Sequence, residues 1–588
     1  MKNQYMWFIL ILLFLVSACD LEESPVATTS KDEVFGTETG LRLYANSFYN
    51  YLPSGNGIVT EDYMTDINAR KDRPIFLTEG AFGPTSSTAG WDWGSLRNIN
   101  YFLENNNNQN VDVSVRRHYS GMARFWRAWF YFDKVVRFGD VPWINIPLDV
   151  SDQQLYGGRD PRELVMDSVL ADLNYAIANI TSADNSRTRV TRNVALALKS
   201  RICLIEASYR KYHPELELAG TANAWFAEAA NAAKVLMDEG NFSIYEGLGE
   251  DRSYRQLFIS QSPVASEIIF GRSFDINYTL NHGANWHYHS STYGVQLSPV
   301  RTFINTYLML DGTPFTELED YETMVFSEEV KNRDKRLKQS IMLGDYKRIS
   351  AGREIPSPPN FGYTLTGYHP IKWCLDDVYY DGDTRNDNFI SIFRYAEVLL
   401  NYAEAKAELG TLTDTDWAQT IGAIRARAGI NGGLNSLPAI VDPYMQQEFF
   451  PDISDPVILE VRRERSIELY LEVSRFTDIR RWRRGELMEM EYNGIYVPEV
   501  NQLMDLNEDG IPDVYFFYGD PPPVSDRIPG VQYMDVNPGG NRWLSNDTFG
   551  EIKWLDSQPR KWEDKMYLYP VPETHRIVNP NLGQNPGW

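Results

Sequence analysis

The feature that most constrains this chain is a run of helical stripes with little sequence between them. From 114 to 138, apolar residues recur at Phe125, Trp129, Phe132 and Val136, which is one face of a helix. The stripe stops at Gly139, with Pro142 just beyond. The spacing predicts three further helices over 161–180, 193–210 and 222–239, the last two rich in alanine. Alanine lets helix backbones approach closely, and consecutive helices joined by short turns stack as antiparallel pairs. From about 240 to 386 the pattern changes to Gly, Pro, Tyr and Ser with short apolar runs, which predicts long loops and small strand pairs. Helices return over 389–409, where Ile392, Ala396, Leu399, Ala403 and Ala407 share a face, then over 417–428 and 456–482. The remainder, 485–588, reads as mostly irregular.

The expected architecture is therefore mainly α, a scaffold of helical pairs with a loop-rich irregular subdomain. The alanine-rich pairs resemble tetratricopeptide units, although no clean period of about 34 residues is present. At 588 residues the chain exceeds what one core usually serves, so two intertwined parts are expected, 32–240 and 241–588.

The first residues carry an address. An apolar run of 14 residues from Tyr5 to Ala18 is too short to span a bilayer as a helix but suits the centre of a signal peptide. Leu15-Val16-Ser17-Ala18-Cys19 resembles a bacterial lipobox, which implies cleavage before Cys19 and lipid on its thiol. A plain signal peptide with a chance cysteine is the weaker alternative. Residues 1–18 are then the signal and 19–31 a lipidated tether, polar and rich in Ser and Thr. Asp20-Leu21-Glu22-Glu23 resembles the export tag of bacterial surface lipoproteins, so the outer face of the outer membrane is the expected location, with attachment to the membrane by lipid alone.

The net charge of −24 argues against nucleic acid and against adhesion to an anionic membrane surface. Besides Cys19 the chain has Cys203 and Cys374. Cys203 falls inside an apolar helical stretch, which favours a buried free thiol over a disulfide. With 15 Trp, 35 Tyr and 28 Phe, the chain holds more ring surface than a core needs, which suits an aromatic ligand platform.

Five ordered segments resemble the SusD/RagB family of nutrient-binding outer-membrane lipoproteins. They are Ala123-Arg124-Phe125-Trp126-Arg127-Ala128 running to Phe138-Gly139-Asp140-Val141-Pro142; Arg394-Tyr395-Ala396-Glu397 through Tyr402-Ala403-Glu404-Ala405; Ile424-Arg425-Ala426-Arg427-Ala428-Gly429; Glu464-Arg465-Ser466-Ile467-Glu468-Leu469 with Arg475, Asp478 and Arg481-Trp482; and Pro570-Val571-Pro572 with Asn579 to Trp588. The resemblance implies a tetratricopeptide-like scaffold under a loop-rich half. It also implies a protein that sits as a lid on a SusC-like TonB-dependent outer-membrane transporter, captures a glycan or other oligomer, and passes it to the pore. The matching residues themselves read as structural: Glu464, Glu468 and Glu472 among Arg462, Arg463, Arg465 and Arg475 are explained as a salt-bridged helix face. A glycosidase needs two carboxylates facing each other across about 5–10 Å, which one helix face does not provide. No catalytic residue is assigned.

Sugars pack the C–H patches of their rings on Trp and Tyr, so a glycan site wants aromatics on loops. Two loops qualify. The stretch 88–94 carries Trp91 and Trp93 between glycines; the stretch 281–293 carries Trp286, Tyr288 and Tyr293 among polar residues. The competing reading is that Trp91 or Trp93 packs onto the helix starting near Asn98. His282, His287 and His289 read as polar contacts or surface histidines rather than zinc ligands. In 505–513, Asp505, Asn507, Asp509 and Asp513 with Gly510 match the first half of a calcium loop, but Phe516 stands where an EF-hand needs glutamate. A structural calcium loop and a self-capping Asx-type turn both fit. No G-x-S-x-G, H-E-x-x-H, phosphate loop or C-x-x-C motif is present and no cofactor is required. The reading that results is a non-enzymatic surface lipoprotein delivering an oligomeric nutrient, with a secreted glycoside hydrolase and a protein-binding helical scaffold as rivals.

Overall fold

The computed structural model describes residues 31–588 except Met64, Tyr293, Val473, Asp556 and Ser557. The signal peptide, Cys19, nearly all of the tether, and Tyr293 lie outside the described residues.

The first helix of the scaffold, α1, spans Gly94–Asn105, and the long stripe folds as α2, Val113–Phe138. The Asp112 side chain caps α2 by accepting the Ser114 N–H at 2.7 Å, and Gly139 ends it at φ +73°. Next come α3, Arg162–Asn179, α4, Arg192–Tyr212, and α5, Ala222–Glu239, each within two residues of its sequence-predicted bounds. Packing is pairwise, α2 on α3 and α4 on α5. Small residues set the close approach. A Cβ on Gly121 of α2 would stand 3.1 Å from Ile180 Cγ1 and 3.6 Å from Ala176 Cα. The thiols of Cys203 and Cys374 are free and buried, as the apolar setting of Cys203 leads one to expect.

The loop-rich part contains strand β1, Ile268–Arg272, the short helix α6, Ala284–Tyr288, and, after a stretch of short helices and small strand pairs such as the hairpin of Lys347–Ser350 with Arg353–Pro356, strand β2, Ile390–Arg394, which runs directly into helix α7, Tyr395–Glu408. Here the structure corrects the helix expected over 389–409. Its first turn is strand, because Ile390-Ser391-Ile392-Phe393 pairs antiparallel with β1, Arg272 opposite Ile390 and Ile268 opposite Arg394. A short apolar run with β-branched residues fits either period, and the partner strand decides it. The helix expected over 417–428 forms across Asp414–Arg427, but loosens into a π-turn at Ala418–Gly422, where a Cβ on Gly422 would meet the Leu434 carbonyl at 2.1 Å.

The helix expected over 456–482 is two helices, α8, Pro456–Glu468, and α9, Arg475–Arg481. The break is stable because its carbonyls find other donors: Lys372 Nζ bonds the Tyr470 oxygen at 2.6 Å, Trp373 Nε1 the Leu471 oxygen at 2.9 Å, and the Tyr254 hydroxyl the Glu468 oxygen at 2.7 Å. The region read as irregular, 485–588, contains two small sheets. One is antiparallel in the order β4-β5-β3, from β3, Tyr492–Val497, β4, Trp543–Asn546, and β5, Phe549–Trp554; the other joins 503–504, 514–517 and 532–535.

The charged face expected on 462–475 is instead a buried network. Glu464 accepts from Arg336 at 2.8 Å and Arg425 at 2.6 Å. Glu468 accepts from Arg394 at 3.0 Å, Arg336 at 3.1 Å and Arg427 at 2.5 Å, and Glu472 from Lys372 and Arg394. Arg465 goes to Asp478 and Arg475 to Asp66. The pairs run between distant segments rather than along one helix, because α8 is central and nine of its 13 residues are buried. The end of the sequence closes the first helices. Tyr569 N donates to the Arg137 oxygen at 2.7 Å, Asn585 Nδ2 to the Phe138 oxygen at 2.9 Å, and Arg159 to Asn585 Oδ1 at 2.6 Å. One apolar core accordingly draws on residues from Phe35 to Leu582.

Candidate functional site

The two aromatic loops have different fates. Trp91 is 5% exposed, edge-on to Phe138 with ring centroids 4.8 Å apart and to Trp93 at 5.5 Å. Trp93 is half-buried against Phe130 and lies 5.6 Å from the Lys134 ammonium. Both therefore pack on α2, which corrects the ligand-facing reading of Trp91 and leaves Trp93 only an edge in solvent. The local chemistry drives this. Asp92 accepts the Gly94 N–H at 2.7 Å, which starts α1, and the chain then turns both rings inward.

The stretch 281–293 folds as a short helix, α6, where Tyr288 points inward, its hydroxyl bonding the Val59 oxygen at 2.8 Å with the side chain buried. Tyr288 is thus also structural, a second correction. Trp286 stays on the partly exposed side. His289 is buried with its ring 4.7 Å from His369, whose Nε2 bonds the Tyr288 oxygen at 3.0 Å. Burial, more than its neighbours, pushes His289 well below the usual imidazole range and His369 to about 4, so both are neutral. His282 is buried, its Nε2 3.1 Å from the Asn388 oxygen. Among the described residues no three His, Cys, Asp or Glu are arranged to hold a metal ion.

What holds α6 is a knot of buried asparagines. Asn285 Nδ2 donates to the Leu375 oxygen at 2.9 Å and to Asp381 at 3.1 Å, its Oδ1 accepts the Leu375 N–H at 2.8 Å and Asn386 Nδ2 at 2.7 Å, and Asn386 pairs main chain to main chain with His282. This clamps α6 beside the turn 378–385. Trp286 therefore shares a loop pair with Tyr379, 54% exposed, and Tyr380, with Arg385 stacked on the Tyr379 ring at 4.9 Å and Asn56 and Thr384 close to Gly283. The exposed Tyr379 and the partly exposed Trp286 and Tyr380, beside amide, hydroxyl and guanidinium groups, give an aromatic shelf that can take a sugar face and its hydroxyls. Tyr379 and Tyr380 are the residues the sequence reading passed over. Their signal was present in Asp376-Asp377-Val378-Tyr379-Tyr380-Asp381-Gly382, two rings in an acidic, glycine-ended turn.

The 505–513 loop caps itself. Asp505 accepts the N–H groups of Asn507 and Gly510, Asn507 that of Asp509, Asp509 that of Ile511, and Asp513 that of Leu506 at 2.7 Å. Burial, helped by Asp505 and Asp509, pushes the Asp513 carboxyl up to about 6. These bonds are those of an Asx-type turn, one of the two arrangements the sequence allowed. A second concave region, a cleft of about 540 Å³, opens between α2, α4 and the β2–α7 junction.

A helical-pair scaffold bearing a loop-rich half defines the structural class, and comparison with known proteins gives the family. Residues 266–588 match the sequence model described as the SusD family, and 92–204 the one described as starch-binding associating with outer membrane. The chain belongs to the SusD family. It is 23% identical to SusD-like protein P2 of Formosa agariphila, over 92% of this chain and all of that protein. Its fold is similar to that of a SusD-like protein from Bacteroides fragilis (22% identity, TM-score 0.67, 95% of this chain and 100% of the other). It is also similar to a SusD-like carbohydrate binding protein from the same species (20%, 0.66, 93% and 99%) and to surface glycan-binding protein A from Bacteroides fluxus (16%, 0.56, 94% and 100%).

Proposed function

We propose that the protein is a non-catalytic, lipid-anchored protein of the outer-membrane surface that captures an oligomeric glycan and delivers it to a SusC-like TonB-dependent transporter. The observation that carries this reading is the shelf of exposed Tyr379 with partly exposed Trp286 and Tyr380, on two loops joined by the buried asparagine knot. A rigid platform loses little entropy on binding, which favours affinity from few contacts. Family membership, the carbohydrate- and glycan-binding names of similar proteins, and the outer-membrane association in a matched family's description support the same reading. For the transporter, Asn579 and Asn581 bond the main-chain oxygens of Leu155, Gly157 and Tyr156, which brings the exposed Ile577 and Val578 close to the exposed Leu155 and Tyr156. Such an apolar patch is what a partner covers.

The test is calorimetry of the purified protein against a polysaccharide panel, with chromatography for products, beside a Trp286→Ala, Tyr379→Ala double variant. Binding without products, weakened about tenfold or more in the variant, is expected. Products would make the protein a hydrolase, and silence across the panel would remove the glycan.

A further inference from the structure

The cleft beside α2 holds charge that the fold leaves unused. Its volume, about 540 Å³, lies within the range of about 300–1,000 Å³ usual for small-ligand sites. Most of its wall charges are spoken for: Arg201 grips Glu397 through two 2.6 Å bonds, Arg465 bonds Asp478 at 2.9 Å, and Arg480 donates to the Tyr567 and Val136 oxygens. Arg137 is not. Its guanidinium lines the cleft with Cζ 4.0 Å over the Tyr569 ring, and it has no hydrogen-bond or ion-pair acceptor among the described residues. The wall is fitted to it. Gly90, at φ +92°, passes so near that a Cβ there would stand 2.5 Å from Arg137 Nε. Glu61 on the same wall attracts Arg137 without forming an ion pair with it.

One turn earlier on α2, Asp133 opens onto the cleft, with one carboxylate oxygen accepting the Tyr51 hydroxyl at 2.6 Å. Asp133 is exposed at the rim of the cleft, and partial loss of water there holds its carboxyl above the usual carboxylate range, against the pull of Tyr51 and Lys134. Trp129 and Phe132 supply apolar wall around the pair.

A guanidinium N–H buried without an acceptor, as at Arg137 Nε, is costly, and the group that satisfies a guanidinium best is a planar or tetrahedral oxyanion that takes two N–H bonds. An ionised carboxylate accepts only, so Asp133 calls for hydroxyl donors. The net charge of −24 makes indiscriminate attraction of anions unfavourable, so anion binding here would be local and geometric. We propose that this cleft is a second ligand site, separate from the aromatic shelf and independent of it, that takes a small hydroxylated acid such as the acidic terminal sugar of an oligosaccharide. The carboxylate or sulfate ester sits on Arg137, a hydroxyl donates to Asp133, and the ring lies against Trp129 and Phe132.

The purified protein is titrated by calorimetry with glucuronate, a glucose sulfate ester and glucose. At least one acid is expected to bind about tenfold or more tightly than glucose, and Arg137→Gln to lose that preference. Which acid binds better separates a carboxylate from a sulfate as the natural group. Equal affinity for glucose and both acids, no heat with any of the three, or an Arg137→Gln protein that keeps the preference would each overturn the proposal. The ligand comparison on the parent protein decides even where the variant fails to fold.

Discussion

Glu404 offers the sharpest test of how the interior is held together. It lies on α7 and is 1% exposed. Its two oxygens take the Arg481 fork at 2.5 and 2.8 Å and the Trp482 indole N–H at 2.9 Å, with Arg465 Nε at 3.9 Å. Burial alone would raise its pKa, but Arg481 above all, then Arg465 and Arg462, outweigh burial and hold the carboxyl at about 2 against an ordinary value of 4.5. Because the folded value is depressed, the stabilisation is complete above about pH 4.5 and is lost as pH falls through about 2. At roughly 1.4 kcal/mol per pH unit it amounts to about 3 kcal/mol at neutral pH. Glu404→Gln keeps the shape, removes the charge and leaves Arg481 with Asp478 as its remaining carboxylate, so a loss of about 3–5 kcal/mol is expected at pH 7. The gap between parent and variant should narrow by about 1.4 kcal/mol at about pH 3.5, where the unfolded glutamate is mostly protonated and the folded one is not. Urea unfolding of both proteins at the two pH values measures this. A gap below about 1 kcal/mol at neutral pH, or one that does not narrow in acid, would show that the pair contributes no more than a neutral hydrogen bond.

Trp91→Ala should cost about 3–5 kcal/mol in urea unfolding, since it empties a buried indole site, while glycan affinity per folded molecule stays unchanged; a selective loss of affinity would return Trp91 to the ligand. In the 505–513 loop the raised Asp513 value means that charge is unfavourable in the fold above about pH 6 and the penalty fades toward about pH 4. Asp513→Asn should therefore raise Tm at pH 7.5 and do so less at pH 4, and millimolar calcium should leave the parent's Tm in place; a calcium-dependent rise would make the loop a metal site.

The scaffold was legible because α2 to α5 carry strong 3.6-residue periodicity and clear stops at Gly139 and Gly240, and local rules decide such helices. What escaped was set by partners remote in sequence. Ile390–Arg394 becomes strand only because β1 lies beside it, and the Arg and Glu residues of α8 look like a solvated face until Arg336, Arg394, Arg425 and Arg427 arrive from elsewhere. Likewise, nothing local distinguishes Trp91, turned in toward Phe138, from Tyr379, turned out: both sit in acidic, glycine-bearing loops, and the difference is which surface the loop is folded against. The stripe puts Arg137 and Asp133 on a core helix, because it shows which face is apolar and not where that face meets a void.

The bond from Asn585 to the Phe138 oxygen joins residues 447 positions apart, and this sets a timetable. At synthesis rates of about 5–20 residues per second, α2 leaves the ribosome roughly 20–90 s before the segment that seals its end. Arg137 and Arg159 wait equally long for Tyr569 and Asn585. A chain that ended before Tyr569 would therefore leave the last carbonyls of α2 and the Arg159 side chain without these partners, so the closing segment is needed for α2 to be finished.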